Sequence, residues 1–133
     1  MSESQKADSE GAVQPGQITW NELVTSDPAG AIAYYTSLFG WETEPFALPE
    51  GDYTMFKRGG VPFGGVTKPC EPGVPTHWLN YVSVEDIDAA VAKGEELGGE
   101  TIVAPMPVGE IGRIAVIRDP QGAVIGLHEA PKT

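Results

Sequence analysis

The sequence predicts an α+β fold made of two copies of a βαβββ module. The first observation behind this is an internal repeat. The segment Trp20-Asn21-Glu22-Leu23-Val24-Thr25-Ser26-Asp27, moved forward 59 positions, lands on Leu79-Asn80-Tyr81-Val82-Ser83-Val84-Glu85-Asp86. The same offset joins Ala31 to Ala90, Ala33 to Ala92, Leu38 to Leu97 and Gly40 to Gly99. A period this long is a whole supersecondary unit used twice, not a solenoid repeat. The second observation is that helix start and stop signals recur at matching places in both copies. The third is that each predicted helix is followed by short β-like runs separated by Gly- and Pro-containing turns.

Residues 1 to about 15 are rich in Ser, Glu, Gln, Lys, Asp and Gly with almost nothing to bury, which is the composition of an unpaired tail. One domain is predicted over residues 16–131, with module one at about 17–67, a linker at 68–76 and module two at about 77–129. Ile18 to Thr25 is β-like. Ser26-Asp27-Pro28 then supplies a helix start, because the Asp carboxylate accepts from orphan backbone amides and Pro suits the first helical position. Ile32, Tyr35 and Leu38 or Phe39 follow at helical spacing, and Gly40 ends the helix. Strands are expected around Glu44-Leu48, Tyr53-Arg58 and Pro62-Thr67, with turns at Pro49-Glu50-Gly51-Asp52 and Gly59-Gly60. The stretch Lys68-Pro69-Cys70-Glu71-Pro72-Gly73-Val74-Pro75 holds too much Pro and Gly for regular structure and reads as the linker. Module two repeats the order. Its strand runs His77-Val84, its helix about Ile87 to Leu97 with Asp86 as cap and Gly98-Gly99 as stop, and its last strands lie near Thr101-Ala104, Arg113-Arg118 and Ala123-His128. Gly60-Val61-Pro62-Phe63-Gly64 also aligns with Gly122-Ala123-Val124-Ile125-Gly126 at an offset of 62.

Composition bounds the function. A chain of 133 residues, 41% hydrophobic, is long enough for one well-buried core. Its formal charge of −11, from 19 acidic and 8 basic residues, repels phosphate backbones and anionic lipid, which argues against nucleic acid and membrane partners. Cys70 is the only cysteine, so no intrachain disulfide can form, and it has no evident activating base; a chance thiol is the reading. With no apolar N-terminal stretch of signal or anchor type, a cytoplasmic location is the expectation.

Four segments carry a resemblance: Trp20 to Asp27, Tyr34-Tyr35-Thr36-Ser37-Leu38-Phe39-Gly40-Trp41, Tyr81-Val82-Ser83-Val84-Glu85-Asp86, and Gly112-Arg113 through Asp119-Pro120-Gln121-Gly122-Ala123. Together the chain resembles the vicinal oxygen chelate superfamily of glyoxalase I, fosfomycin-resistance enzymes, bleomycin-binding proteins and extradiol dioxygenases. The resemblance implies paired βαβββ modules whose eight strands curl into an open, barrel-like cavity, commonly supported by a dimer partner. It also implies divalent-metal ligands on the first and fourth strands of each module. Counted from Asp27 and Asp86, the first-strand positions fall on Trp20 and Leu79, and the Gly60/Gly122 alignment puts the fourth-strand positions on Gly64 and Gly126. None of the four can hold a metal, and the neighbouring set Asn21, Asn80, Phe63 and Ile125 is no better. No metal or other cofactor is therefore expected at the usual place.

Strand alternation puts Trp20, Glu22 and Val24 on one face, and His77, Leu79, Tyr81 and Ser83 on one face. If these face the cavity, Glu22 with one or both of His77 and His128 forms the alternative metal set, displaced from the family positions. Glu22 is the most suggestive residue, because a carboxylate in an apolar strand needs a partner or a raised pKa. It is read as a general base, as an acceptor for ligand amines, or as an acid paired with Arg113, which sits in a strand leaning over the cavity. Trp20, Trp41, Trp78, Tyr53, Tyr81 and Phe56 offer aromatic surface for a planar, weakly polar ligand, although core packing is the plainer reading of most of them. Asn21 and Asn80, at equivalent places, are read as satisfying backbone groups.

The expected ligand site is thus Trp20, Glu22, Leu79, Tyr81 and Arg113, with Glu22 as the catalytic candidate. The leading expectation is a homodimeric, metal-independent small-molecule-binding protein. The alternative is an enzyme, a lyase, isomerase, hydroxylase-like or dioxygenase-like member, that uses a displaced metal or Glu22 as base. A pure interaction module is the third class, since fold does not fix function.

Overall fold

The computed structural model describes residues 14–48, 51–69 and 71–131. Cys70, the centre of the turn at 49–50 and most of the predicted tail lie outside them. Ten elements follow in the order the repeat requires: β1 (Ile18–Val24), α1 (Pro28–Phe39), β2 (Glu42–Leu48), β3 (Gly51–Arg58), β4 (Val61–Thr67), β5 (His77–Ser83), α2 (Ile87–Glu96), β6 (Glu100–Pro107), β7 (Arg113–Arg118) and β8 (Val124–Glu129). The helix punctuation works as its chemistry demands. The Asp27 carboxylate accepts from the Gly30 amide, Pro28 opens α1, and Gly40 closes it at φ 71°, a left-handed conformation that glycine adopts without steric penalty. Asp86 caps α2 through the Ala89 amide.

All eight strands join in one sheet in the order β2-β3-β4-β1-β5-β8-β7-β6. The ends do not pair, so the sheet is open. The modules meet where β1 runs antiparallel to β5, with Asn21 opposite Asn80. Within each module the first strand pairs in parallel with the fourth, β1 with β4 and β5 with β8. Equivalent asparagines facing each other make this seam a local pseudo-two-fold.

Burial sorts the two faces. On the helix face, Leu23, Phe56 and Val66 pack with Ala31, Ile32 and Tyr35 of α1 and with Trp41 and Phe63, while Ile87, Ala115 and Leu127 pack beneath α2. On the open face, Leu79, Tyr81 and Val116 pack with Trp20, Val103 and Ile114. Trp41, Phe56 and Trp78 thus contribute to the helix face, through rings that contact Tyr35, and not to the open face.

One register feature corrects the sequence alignment. Between Phe56 and Lys57 the β3–β4 pairing slips: Lys57 faces Pro62 while Phe56 faces Gly64, so Phe63 is an extra residue in β4. The β7–β8 pairing has no such bulge. Past the bulge the modules therefore correspond at 61 positions, and Glu22 lies beside Gly65 as Tyr81 lies beside Gly126. The fourth-strand position of module one is Gly65, not Gly64. A bulge inserts a residue without altering turn chemistry, so the Gly60/Gly122 turns alone could not locate it.

Candidate ligand site on the open face

Alternation along β1 and β5 places Trp20, Glu22, Leu79 and Tyr81 on the face away from the helices, where β1 and β5 set Trp20 opposite Tyr81 and Glu22 opposite Leu79. The structure brings these four together as the sequence pattern anticipates. It adds Tyr53 of β3, which the sequence marked only as aromatic surface. The Tyr53 hydroxyl accepts from Trp20 Nε1 at 2.9 Å and donates to Glu22 Oε1 at 3.1 Å. An indole can only donate, so the single phenolic proton is committed to the carboxyl group. Tyr81 also hydrogen-bonds Glu22.

The space for these tyrosines comes from the two glycines that correspond across the modules. A Cβ on Gly65 would lie 2.0 Å from the Tyr53 hydroxyl oxygen, and one on Gly126 would lie 2.5 Å from Cδ2 of Tyr81. Tyrosine rings thus fill the volume that a fourth-strand side chain would take in each module. Gly126→Ala should therefore force the buried Tyr81 ring off its seat and lower stability by about 1–3 kcal/mol. Urea unfolding checks this; an unchanged midpoint would contradict the packing.

Half-burial raises the Glu22 carboxyl above its ordinary pKa, while hydrogen bonds from Tyr53 and Tyr81 and the charge of His77 pull it partly back. Burial first, and then the Glu22 charge, raise Tyr53 well above the ordinary phenol value, so its hydroxyl stays protonated and serves as a donor. The result is a single acid in an aromatic and aliphatic wall, its proton affinity increased and two hydroxyls aimed at it.

The other candidates separate. Arg113 is not brought to Glu22. It lies on β7 opposite Glu129, on the helix face, and bonds Asp88 Oδ2 of α2 at 2.8 Å and Glu129 Oε1 at 3.1 Å. The pairing of Glu22 with Arg113 is replaced by tyrosine hydroxyls. His77 Nδ1 bonds the Pro75 carbonyl at 2.7 Å, and His77 stands two residues from Leu79, near Glu22. His128 stands beside Ser83 at the other end of β5 and bonds the Ile111 carbonyl. Six residues of strand, about 20 Å, divide the levels of the two histidines, so Glu22, His77 and His128 do not converge. Among the described residues no group of three or more His, Cys, Asp or Glu side chains is placed to hold a metal ion. Trp20, Leu79, Gly65 and Gly126, the positions the family pattern points to, offer no metal-binding atom, and the rings of Tyr53 and Tyr81 occupy the glycine sites. The residues present do not fit a metal there. Asn21 donates to the Phe63 carbonyl, as anticipated for a backbone-satisfying role, whereas Asn80 donates to Asn21 at 2.6 Å. No helix among the described residues is long and apolar enough to cross a membrane.

Comparison with known proteins agrees with this architecture. Residues 16–127 match the model of the Glyoxalase/Bleomycin resistance protein/Dioxygenase superfamily. The chain is 39% identical over 121 residues to CFP32 of Mycobacterium tuberculosis, which carries the name glyoxylase; the match covers 90% of this chain and 46% of that protein. It is 34% identical over 128 residues to the anthracycline biosynthesis protein DnrV of Streptomyces peucetius, covering 85% of this chain and 46% of the relative. The chain thus spans just under half the length of these relatives. Among solved structures, a methylmalonyl-CoA epimerase from Streptomyces coelicolor superposes with a TM-score of 0.64 at 17% identity, over 90% of this chain and all of the other, which is a likeness of fold.

Proposed function

Starting from a chain that belongs to the Glyoxalase/Bleomycin resistance protein/Dioxygenase superfamily, we propose that it binds a small, planar, weakly polar molecule on the open face of the sheet, with Glu22 as the polar anchor and no metal at the family positions. The observation that carries this reading is the Glu22 arrangement: a half-buried carboxyl with raised pKa, held by Tyr53 and Tyr81 beside the Trp20 indole. An acid so placed binds a donor or a cation strongly, because the apolar surroundings leave little water to compete. Trp20, Tyr53 and Tyr81 supply ring faces and edges, and Leu79, Ile114 and Val116 supply apolar surface. The name of the Streptomyces peucetius relative makes anthracyclines the first compounds to screen. Trp20 is the built-in reporter; a saturable change in tryptophan fluorescence is expected, and its absence across such a library would count against the site.

An enzyme is the second reading, favoured by the raised Glu22 pKa. A carboxylate of increased basicity next to two hydroxyl donors suits proton abstraction from a bound substrate and stabilisation of the resulting anion. The glyoxylase name of the mycobacterial relative and the epimerase structure belong to that class of possibility, the first through a protein this chain half covers and the second through fold alone.

Both readings share a prediction about metal. Purified protein should carry far less than stoichiometric zinc, iron, manganese or nickel, and chelator should leave its melting temperature unchanged. Stoichiometric metal that restores stability on return would overturn the metal-free reading.

A further inference from the structure

The hydrogen-bond donors beside Glu22 are already engaged with one another and with its carboxylate. The Trp20 indole donates to the Tyr53 oxygen at 2.9 Å, and Tyr53 gives its own proton to Glu22 Oε1 at 3.1 Å. Tyr81 adds a further hydrogen bond to the same group. The direction of this chain is fixed at its far end, because an indole nitrogen has a proton to give and no lone pair to accept with. Tyr53 can turn its proton toward a ligand only by taking it from Glu22. A carboxylate offers roughly four acceptor positions, and the tyrosines fill roughly two of them. Glu22 is only partly buried, so the remaining positions are open to a ligand. The cations of this face are held elsewhere. Alternation places Lys57 of β3 and Arg118 of β7 on the open side, where Glu44 holds Lys57 at 2.8 Å and Glu100 holds Arg118 at 2.7 Å. His77 gives its Nδ1 proton to the Pro75 carbonyl.

We propose, resting on the binding reading above, that Tyr53 is a positioning residue that sets ligand class. Oriented by Trp20, it holds Glu22 as an acceptor, so the site takes planar ligands whose polar edge donates, of the amidinium or arylammonium class, and rejects planar ketones and carboxylates. An amidinium presents parallel N–H groups, which match the acceptor positions Glu22 has left. A ketone meets an acid and hydroxyls already engaged, so its own oxygen loses water without gaining a partner. The chain charge of −11 adds to the rejection of a carboxylate but not of a neutral ketone, which makes the ketone the informative comparison.

The test follows the Glu22 carboxyl by NMR in protein carrying isotope-labelled glutamate, its resonance assigned by its absence in Glu22→Gln. The titratable groups facing Glu22 are Tyr53 from β3 and Tyr81 and His77 from β5, while β4 presents Gly65 there. Tyr53→Phe removes one donor from the carboxylate and changes no charge. The Glu22 midpoint should rise by about one unit in this variant, with unchanged circular dichroism. Benzamidine, cationic throughout the range, should lose its binding as pH falls through that midpoint in each protein. Above the midpoint the wild type should bind benzamidine about tenfold or more tightly than acetophenone, a comparison that needs no variant. An unmoved midpoint in folded Tyr53→Phe, or acetophenone that shifts the Glu22 resonance at the same concentrations as benzamidine, would overturn the role of Tyr53 and leave the binding site standing. Planar probes of both kinds that leave the Glu22 resonance unmoved would overturn the site and the role together.

Discussion

Glu129→Ala should be among the most destabilising single substitutions in this protein. Glu129 is 5% exposed at the end of β8, and one of its carboxylate oxygens accepts from the Ile87 amide, the first of α2, at 3.0 Å. Its carboxylate also receives Arg113 Nε at 3.1 Å. A negative charge at a helix N-terminus is favourable in itself. Here it also ties α2 to the sheet at the point where Ile87 is fully buried. Alanine leaves that amide unsatisfied and removes the acid that Arg113 shares with Asp88. Leaving the buried Ile87 amide bare costs about 1–3 kcal/mol, and the lost pair with the part-exposed Arg113 adds little. For a domain of this size that lowers the melting temperature by roughly 4–11 °C. Glu129→Gln keeps an acceptor for the Ile87 amide and should lose about half as much. A thermal melt that moves by less than about 2 °C for the alanine variant would contradict this role.

The sequence made the architecture readable because its punctuation is local. Asp27 with Pro28, Gly40, and Asp86 mark helix ends by chemistry that acts within three or four residues, and the structure places both helices between them. Trp20, Glu22, Leu79 and Tyr81 were legible as one face because strand alternation needs no knowledge of the partner strands. What was hidden depends on pairing. Tyr53 joins Glu22 only because β3 lies beyond β4, and Gly65 leaves its hydroxyl room; neither register can be read from β3 alone. The Phe63 bulge moved the glycine correspondence by one residue. Arg113 is one of the partners the sequence offers Glu22, yet an odd-numbered place on β7 turns it toward α2, where Asp88 and Glu129 wait. Phe56 reads as cavity wall by hydrophobicity but faces the helices by parity.

Glu22→Gln separates a functional acid from a structural one. A carboxyl whose pKa is raised by folding holds its proton more tightly in the folded chain. Its contribution therefore favours folding in acid and is lost as pH rises from the unfolded carboxyl's value through the higher folded one. At neutral pH the ionised Glu22 is a net burden on stability, since desolvation outweighs the help from Tyr53, Tyr81 and His77. Glutamine keeps an oxygen to accept from Tyr53 and has no charge to bury. The variant should melt at the same temperature as wild type or higher at pH 7–8, and the difference should vanish in acid.

Binding should move the other way. An ionised contact in a partly desolvated site is worth about 1–3 kcal/mol, a factor of roughly ten to over a hundred in affinity. The most direct test is a tryptophan-fluorescence titration of wild type and Glu22→Gln with an amine-bearing planar compound selected in the screen, run alongside melts at neutral and acid pH. A tenfold to hundredfold loss of affinity with no loss of neutral-pH stability is the predicted result. Full affinity with abolished turnover would make Glu22 a base and the protein an enzyme. Full affinity with a lowered melting temperature would contradict the account, because Glu22 would then be retained for the fold and not for a ligand.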